Sequence, residues 1–179
     1  MEAADTGHLA LVGLSGSGKS TVAPLLAARL GLGAPVDLDR VVEHRAGRPV
    51  HEVFAQDGEA TFRRLESDAL ADALTGQPVV IATGGGIVLD HENRRLLRSG
   101  ATVVWLRGSP GHLAQRLADT TESRPLLSGD ADFALHRLAE EREALYAEVA
   151  DLVIDVDGVD PVTVADEILS SLPRSTTDR

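Results

Sequence analysis

Residues Gly13–Thr21 read GLSGSGKST, preceded by HLALV (His8–Val12) and followed by the run that ends at Leu30, TVAPLLAARL. The first flank is a short apolar run of strand character and the second is rich in helix formers, so the glycines lie at a strand-to-helix turn. In that context G-x-x-x-x-G-K-[ST] is the pattern of a phosphate-binding loop. Its glycines let successive N–H groups face one phosphate, and the N-terminus of the following helix adds partial positive charge. Lys19, the single lysine among 17 basic residues, would reach the β and γ phosphates of a nucleotide as a compact point charge. Ser20 would offer its hydroxyl to Mg²⁺. Gly16, Ser17, Gly18, Lys19, Ser20 and Thr21 are therefore the expected grip on the nucleotide. The competing reading is a Gly/Ser turn with an exposed lysine.

Outward from the loop, four more apolar runs alternate with helical stretches: PVDLD, PVVIATGGG, ATVVWLRG and DLVIDVDG. Such alternation predicts an α/β protein with parallel strands, crossover helices and both sheet faces covered. Pro24 falls inside the helix that leaves the loop, where it removes an N–H and crowds the preceding turn, so a distorted first turn is expected. The 179 residues, 43% hydrophobic, suffice for one packed domain. With no cysteine there is neither a disulfide framework nor a thiolate metal site. The start, MEAADTG, is acidic and lacks the pattern of a signal peptide, and no apolar run is long enough to span a membrane. A net charge of −11 argues against a nucleic-acid surface. The expectation is a cytoplasmic monomer with no nucleic-acid or membrane partner.

Ligands of open parallel sheets bind beyond the carboxyl ends of the strands, and three strand ends here carry unusual chemistry. Asp37 and Asp39 in DLD alternate as in a strand, so both are expected to face the phosphate loop. One could hold hydrated Mg²⁺ while the other meets an acceptor hydroxyl. Alternatively they are solvated strand-end acids, or Asp39 caps a helix starting near Arg40. Gly84, Gly85 and Gly86 permit close backbone approach to a ligand, or form only a flexible turn. The stretch from Ala131 to Val149 has apolar residues at Leu135, Leu138, Leu145 and Val149, and Arg142 falls on that stripe. It either snorkels outward or meets an anion inside. Arg63 and Arg64 flank a second stripe of Phe62, Leu65 and Ala69, with Glu66 nearby as anion-site partner or plain helix salt bridge. TTESRPLLSGDAD reads as a mobile lid carrying Arg124.

The segments GLSGSGKST, DLD, GRPVHEVFAQDGEATFRRLE, TGGG, SRPLL and REALYAEVAD occur in an order and spacing that resembles the shikimate kinases, from Leu11 to Asp155. The resemblance implies a three-layer P-loop kinase fold, a five-stranded parallel sheet in the order 2-3-1-4-5 with helices on both faces. It implies one domain over residues 1–179, with a core of about 8–172, a substrate-binding insert of about 37–66 and a lid of about 116–131. The implied reaction is transfer of phosphate from ATP to the 3-hydroxyl of shikimate. By the same resemblance, Asp39 contacts that hydroxyl, while Arg63, Arg142 and the Gly84–Gly86 turn, chiefly Gly85, hold the acid. Glu66 orients the arginine in that site. Lys19 and Arg124 balance charge on the transferring phosphoryl, Ser20 and Asp37 serve Mg²⁺, and Arg116 lies near the adenine.

Elementary chemistry agrees with that assignment. Shikimate is a carboxylate on a small hydroxylated ring, so its site needs a cationic fork at one end and a proton acceptor at the other. Two features depart from the family pattern: Pro24, and the acidic DVDGVDP where an adenine-contacting loop with arginine is expected. Rival readings are a kinase for gluconate or another cyclitol acid, and a catalytically silent nucleotide-binding regulator. A GTPase is excluded more firmly, because N-K-x-D requires a second lysine.

Overall fold

The computed structural model describes residues 7–118 and 131–172. Five strands, β1 (His8–Val12), β2 (Val36–Asp37), β3 (Val80–Ala82), β4 (Ala101–Arg107) and β5 (Leu152–Asp155), form one parallel sheet in the order β2-β3-β1-β4-β5. This is the expected order. Among the described residues the helices are α1 (Lys19–Leu30), α2 (Leu38–Ala46), α3 (Val50–Ala73), α4 (His91–Gly100), α5 (Pro110–Ala118), α6 (Ala131–Val149) and α7 (Pro161–Ser171), with a 3-10 turn at Ile87–Leu89.

The strands read as nearly continuous apolar runs because both sheet faces are covered. Along β1, Leu9 and Leu11 point to one side and pack with Val22 and Leu26 of α1 and Val164 and Ile168 of α7. Ala10 and Val12 point to the other side, toward Leu97 of α4 and Leu135, Leu138 and Tyr146 of α6. A satellite cluster of Val42, Val53 and Phe62 holds α2 against α3. Phe54 and Phe62 stack there with ring centroids 4.6 Å apart. α3 is kinked at Gly58, whose φ of 81° and ψ of 165° interrupt the helical path.

Two local expectations are corrected. α1 runs unbroken through Pro24. The N–H that proline lacks would have met the Ser20 carbonyl four residues back, and both residues are exposed, so water can replace the bond. Strand geometry also ends at Asp37 rather than continuing to Asp39. The Asp37 carboxylate accepts from Arg40 N at 3.3 Å and caps α2, which turns the chain into a helix one residue later. Asp39 is therefore a first-turn helix residue and not a strand neighbour of Asp37, and the cap is Asp37 instead of Asp39.

Candidate active site

The donor end is built from consecutive residues. β1 delivers the chain to the loop, and Gly18 occupies the N-cap of α1 with φ 94°, a left-handed conformation that a side chain would strain. No side chain caps that helix, which leaves its terminal N–H groups suited to an anion. Lys19 is only 8% exposed. Its Nζ donates to the carbonyls of Gly13 (2.7 Å) and Leu14 (2.9 Å) and to Ser17 Oγ (3.4 Å). The ammonium is thus held across the loop, not extended into solvent, which removes the reading of an exposed lysine on a plain turn. Ser17 is buried beneath it. Thr21 begins the helical ladder, its N–H donating to Gly18 O at 3.1 Å.

Ser20 Oγ donates to Asp37 Oδ2 at 2.6 Å. The same carboxylate therefore caps α2 with one oxygen and faces the loop with the other. Arg116, on α5, lays its guanidinium over the loop: a Cβ built on Gly18 would stand 3.4 Å from Arg116 Nη2. Gly16 packs against Leu113 and Leu117 of the same helix.

The acceptor end draws on four elements. The Gly84–Gly86 turn follows β3, and each glycine is approached by a different group. A Cβ on Gly84 would overlap Glu66 Oε1 and stand 3.3 Å from Asp39 Oδ1. One on Gly85 would stand 3.7 Å from Arg142 Nη1 and 3.5 Å from Gly13 O and Ser15 N of the phosphate loop. One on Gly86 would overlap the Arg63 guanidinium. Close approach thus leaves no free room for a side chain at Gly84 and Gly86, Gly85 stands at ordinary contact distance, and the turn brings Asp39, Arg63, Glu66 and Arg142 together beside the loop.

Two buried ionisable groups dominate this end. Glu66 is 0% exposed. Its Oε2 accepts from Arg63 Nη1 at 2.8 Å, while Oε1 has no hydrogen-bond partner among the described residues. Burial pushes the Glu66 carboxyl up, against the opposing pull of the Arg63 guanidinium. Arg63 is further tied to Glu59 at 3.2 Å. Arg142 is 4% exposed, so it does not snorkel. Its Nε has no hydrogen-bond partner among the described residues, and its nearest carboxylate oxygen, on half-exposed Glu141, is 4.0 Å away. The rest of the guanidinium interacts with the Tyr146 hydroxyl and with Glu66, so it is the buried, unpartnered Nε that suits an anion. Arg64 is exposed and takes no part.

The shikimate kinase family model matches residues 15–173. The chain belongs to the shikimate kinase family. A shikimate kinase of Moorella thermoacetica is 46% identical over 166 residues, covering 93% of this chain and 94% of the relative. The solved shikimate kinase from Acinetobacter baumannii, in complex with shikimate, is 32% identical with a TM-score of 0.88, covering 93% of this chain and 92% of that one. A gluconokinase from Sinorhizobium meliloti covers 92% of this chain and 90% of its own at 23% identity and a TM-score of 0.59, a likeness of fold alone.

Against the shikimate kinase pattern, the acidic DVDGVDP segment proves to be engaged. Asp155 pairs with Arg107 at 2.6 and 2.9 Å, which lowers its carboxyl. Asp157 accepts from Ser109 N at 2.9 and 3.2 Å. Asp160 caps α7 through Val162 N and Thr163 N, and its bond to Thr163 holds it low. These acids spend their charge on the turn itself. Arg124 and most of the expected lid lie outside the described residues. Two side chains that hold the glycine turn and the 3-10 turn after it were not singled out in the sequence. Tyr146, one helical turn beyond Arg142, donates to Gly85 O at 2.5 Å. Arg94 Nη1 donates to the carbonyls of Val88 (2.8 Å) and Leu89 (3.3 Å), securing the 3-10 turn after the glycines. The signal that could have found Tyr146 is its i, i+4 spacing from Arg142; nothing in the sequence singled out Arg94 from its neighbours.

Proposed function

We propose that this chain transfers the γ-phosphoryl group of ATP to the 3-hydroxyl of shikimate, giving shikimate 3-phosphate and ADP. The observation that carries the reading is the buried Arg142, its Nε without a hydrogen-bond partner among the described residues, beside the glycine turn and Arg63. Two guanidiniums across that turn suit the carboxylate of a small acid. The shikimate-bound relative supports the same identity for the acid. Asp39 faces the turn from α2 and takes the hydroxyl proton as the oxygen attacks the γ-phosphorus and the bond to the β-phosphate oxygen breaks. Glu66 orients Arg63.

The loop residues Gly16, Ser17, Gly18, Ser20 and Thr21 cradle the nucleotide phosphates, with Arg116 toward the adenine. Lys19 moves from the loop carbonyls to the phosphates and stabilises charge on the transferring group, a task that needs position more than covalent chemistry. Arg124 adds the second cation. Ser20 Oγ and Asp37 Oδ2 form an oxygen-only pair that suits a hard divalent ion and leaves its other positions to phosphates and water. Ser20 and Asp37 would hold Mg²⁺, which would supply charge neutralisation on the β and γ phosphates. Among the described residues no helix is long and apolar enough to cross a membrane, and the enzyme is proposed to act as a single-domain cytoplasmic monomer. A coupled ADP-release assay with shikimate, with gluconate and with no acceptor tests the reading. Shikimate-dependent release alone is expected; gluconate-dependent release, or release independent of acceptor, would overturn it.

A further inference from the structure

The three carbonyls of the Gly84–Gly86 turn are satisfied in two ways. Gly84 O and Gly86 O accept from Ile87 N (3.2 Å) and Leu89 N (3.1 Å), bonds local to the 3-10 turn. The middle carbonyl, Gly85 O, is instead bound across the fold by the Tyr146 hydroxyl at 2.5 Å. Tyr146 is 1% exposed, and its ring lies 5.6 Å from that of Trp105 on β4. Burial pushes its phenol well up, so it remains a proton donor throughout the neutral range.

The position of this bond matters for two reasons. The Gly85 carbonyl and the Gly86 N–H belong to one planar peptide unit and point in opposite directions, so fixing the first aims the second. Tyr146 also stands four residues after Arg142 on α6, a spacing that puts both side chains on one face of the helix. The helix that supplies the buried guanidinium therefore also grips the turn against which that guanidinium rests. Gly85, in turn, approaches Gly13 and Ser15 of the phosphate loop. One hydroxyl thereby sets the spacing between the anion-binding arginine, the glycine turn and the donor loop.

We infer that Tyr146 is a positioning residue for the acceptor: its hydroxyl holds the Gly84–Gly86 turn in register with Arg142 so that the bound acid is aligned with the phosphate loop. The inference rests on the proposed reaction with shikimate. The alternative is a core tyrosine whose hydroxyl is merely satisfied, contributing stability and nothing else.

Tyr146→Phe removes the hydroxyl and keeps the ring beside Trp105. In the full chain, this variant should lose about 10-fold or more in kcat/KM for shikimate, as a small misalignment of reactants suffices to do, while the KM for ATP stays within about twofold. Trp105→Phe is the control for packing: it should lower the melting temperature and leave shikimate kinetics near wild type. A folded Tyr146→Phe enzyme with unchanged shikimate kinetics would overturn the inference. Should that variant fail to fold, the chain offers a second route, because Tyr146 is its only tyrosine. Global 3-fluorotyrosine incorporation changes the donor strength of this hydroxyl alone. An altered KM for shikimate with an unaltered KM for ATP supports the inference, and two unaltered constants refute it. Wild-type activity toward shikimate is measured first: its absence would sink the reaction, whereas an active wild type with insensitive variants would sink only the role of Tyr146.

Discussion

The two ends of this site are made in different ways. The proposed donor end is a contiguous loop whose backbone N–H groups, left-handed glycine and lysine six residues from Gly13 lie close together. The acceptor end gathers Asp39 from α2, Arg63 and Glu66 from α3, a glycine turn after β3 and Arg142 from α6. A local site depends on its own backbone, so changing its one charged side chain should affect chemistry more than structure. An assembled site depends on buried charges held by separate elements, so its members should affect affinity, stability and each other. The glycine turn is where the two meet, since Gly85 approaches both Arg142 and the phosphate loop.

The largest effect should come from the donor end. Lys19→Met should lower kcat by about 10²-fold or more, the scale of losing one preorganised donor in the transition state. Its melting temperature should change much less, because the loop is shaped by glycines and not by the ammonium alone. Lys19→Arg should not restore turnover, as a planar fork cannot replace a compact ammonium in that crevice. Near wild-type turnover in Lys19→Met would break the contrast between the two ends.

A smaller effect is expected where the turn meets Arg63. An alanine methyl at Gly86 would occupy space now filled by the Arg63 guanidinium, the far end of a flexible side chain. The arginine can move aside, so Gly86→Ala should fold, with a lowered melting temperature because buried Glu66 loses part of its pairing with Arg63. Its KM for shikimate should rise roughly 10-fold, less than the roughly 30-fold or more that full truncation of a buried charge-assisted partner gives, because a displaced guanidinium keeps part of its contact. Its KM for ATP should stay put. If both constants rose together, donor and acceptor ends would not be separable at this turn.

The smallest effect concerns Glu66 and pH. Its carboxyl is raised by burial, so the folded chain keeps this proton at pH values where the unfolded chain has released it. Stability from that protonation is complete below the ordinary glutamate range and is lost as pH rises through the raised value. Glu66→Gln cannot titrate. The difference in melting temperature between variant and wild type should therefore shift in favour of the variant as pH rises across that window. The sign of that shift is the prediction, read as a change in melting temperature, where roughly 1 kcal/mol corresponds to about 2–4 °C for a chain this size. A pH-independent difference would mean that Arg63 keeps Glu66 ionised throughout.

The contrast between the ends also explains what could be read from sequence. The phosphate loop, the parallel strands and the span of α6 were legible because each is written in neighbouring residues, as motif or as periodicity. The five-strand order and the roles of Asp39, Arg63 and Arg142 came from the family resemblance, which integrates segments far apart in the chain. Asp39 was misread as a strand residue because a two-residue strand competes with a helix cap, and the bond from Arg40 N to Asp37 decides the matter. The direction of Arg142 was open, since its stripe is compatible with a snorkelling side chain; only the packing of α6 against the sheet turns it inward. Tyr146 was not singled out, and its bond to Gly85 joins positions that only the folded chain brings together.

The central claim is that Arg142 faces an anion, and calorimetric titration of Arg142→Ala with shikimate tests it most directly. Loss of one side of a buried charge-assisted pair typically costs about 2–5 kcal/mol, so binding should weaken roughly 30-fold or more while ATP binding changes little. Arg142→Lys should recover only part of the loss, lacking the two-pronged grip of a guanidinium. A folded Arg142→Ala protein that binds shikimate as tightly as wild type would contradict the account.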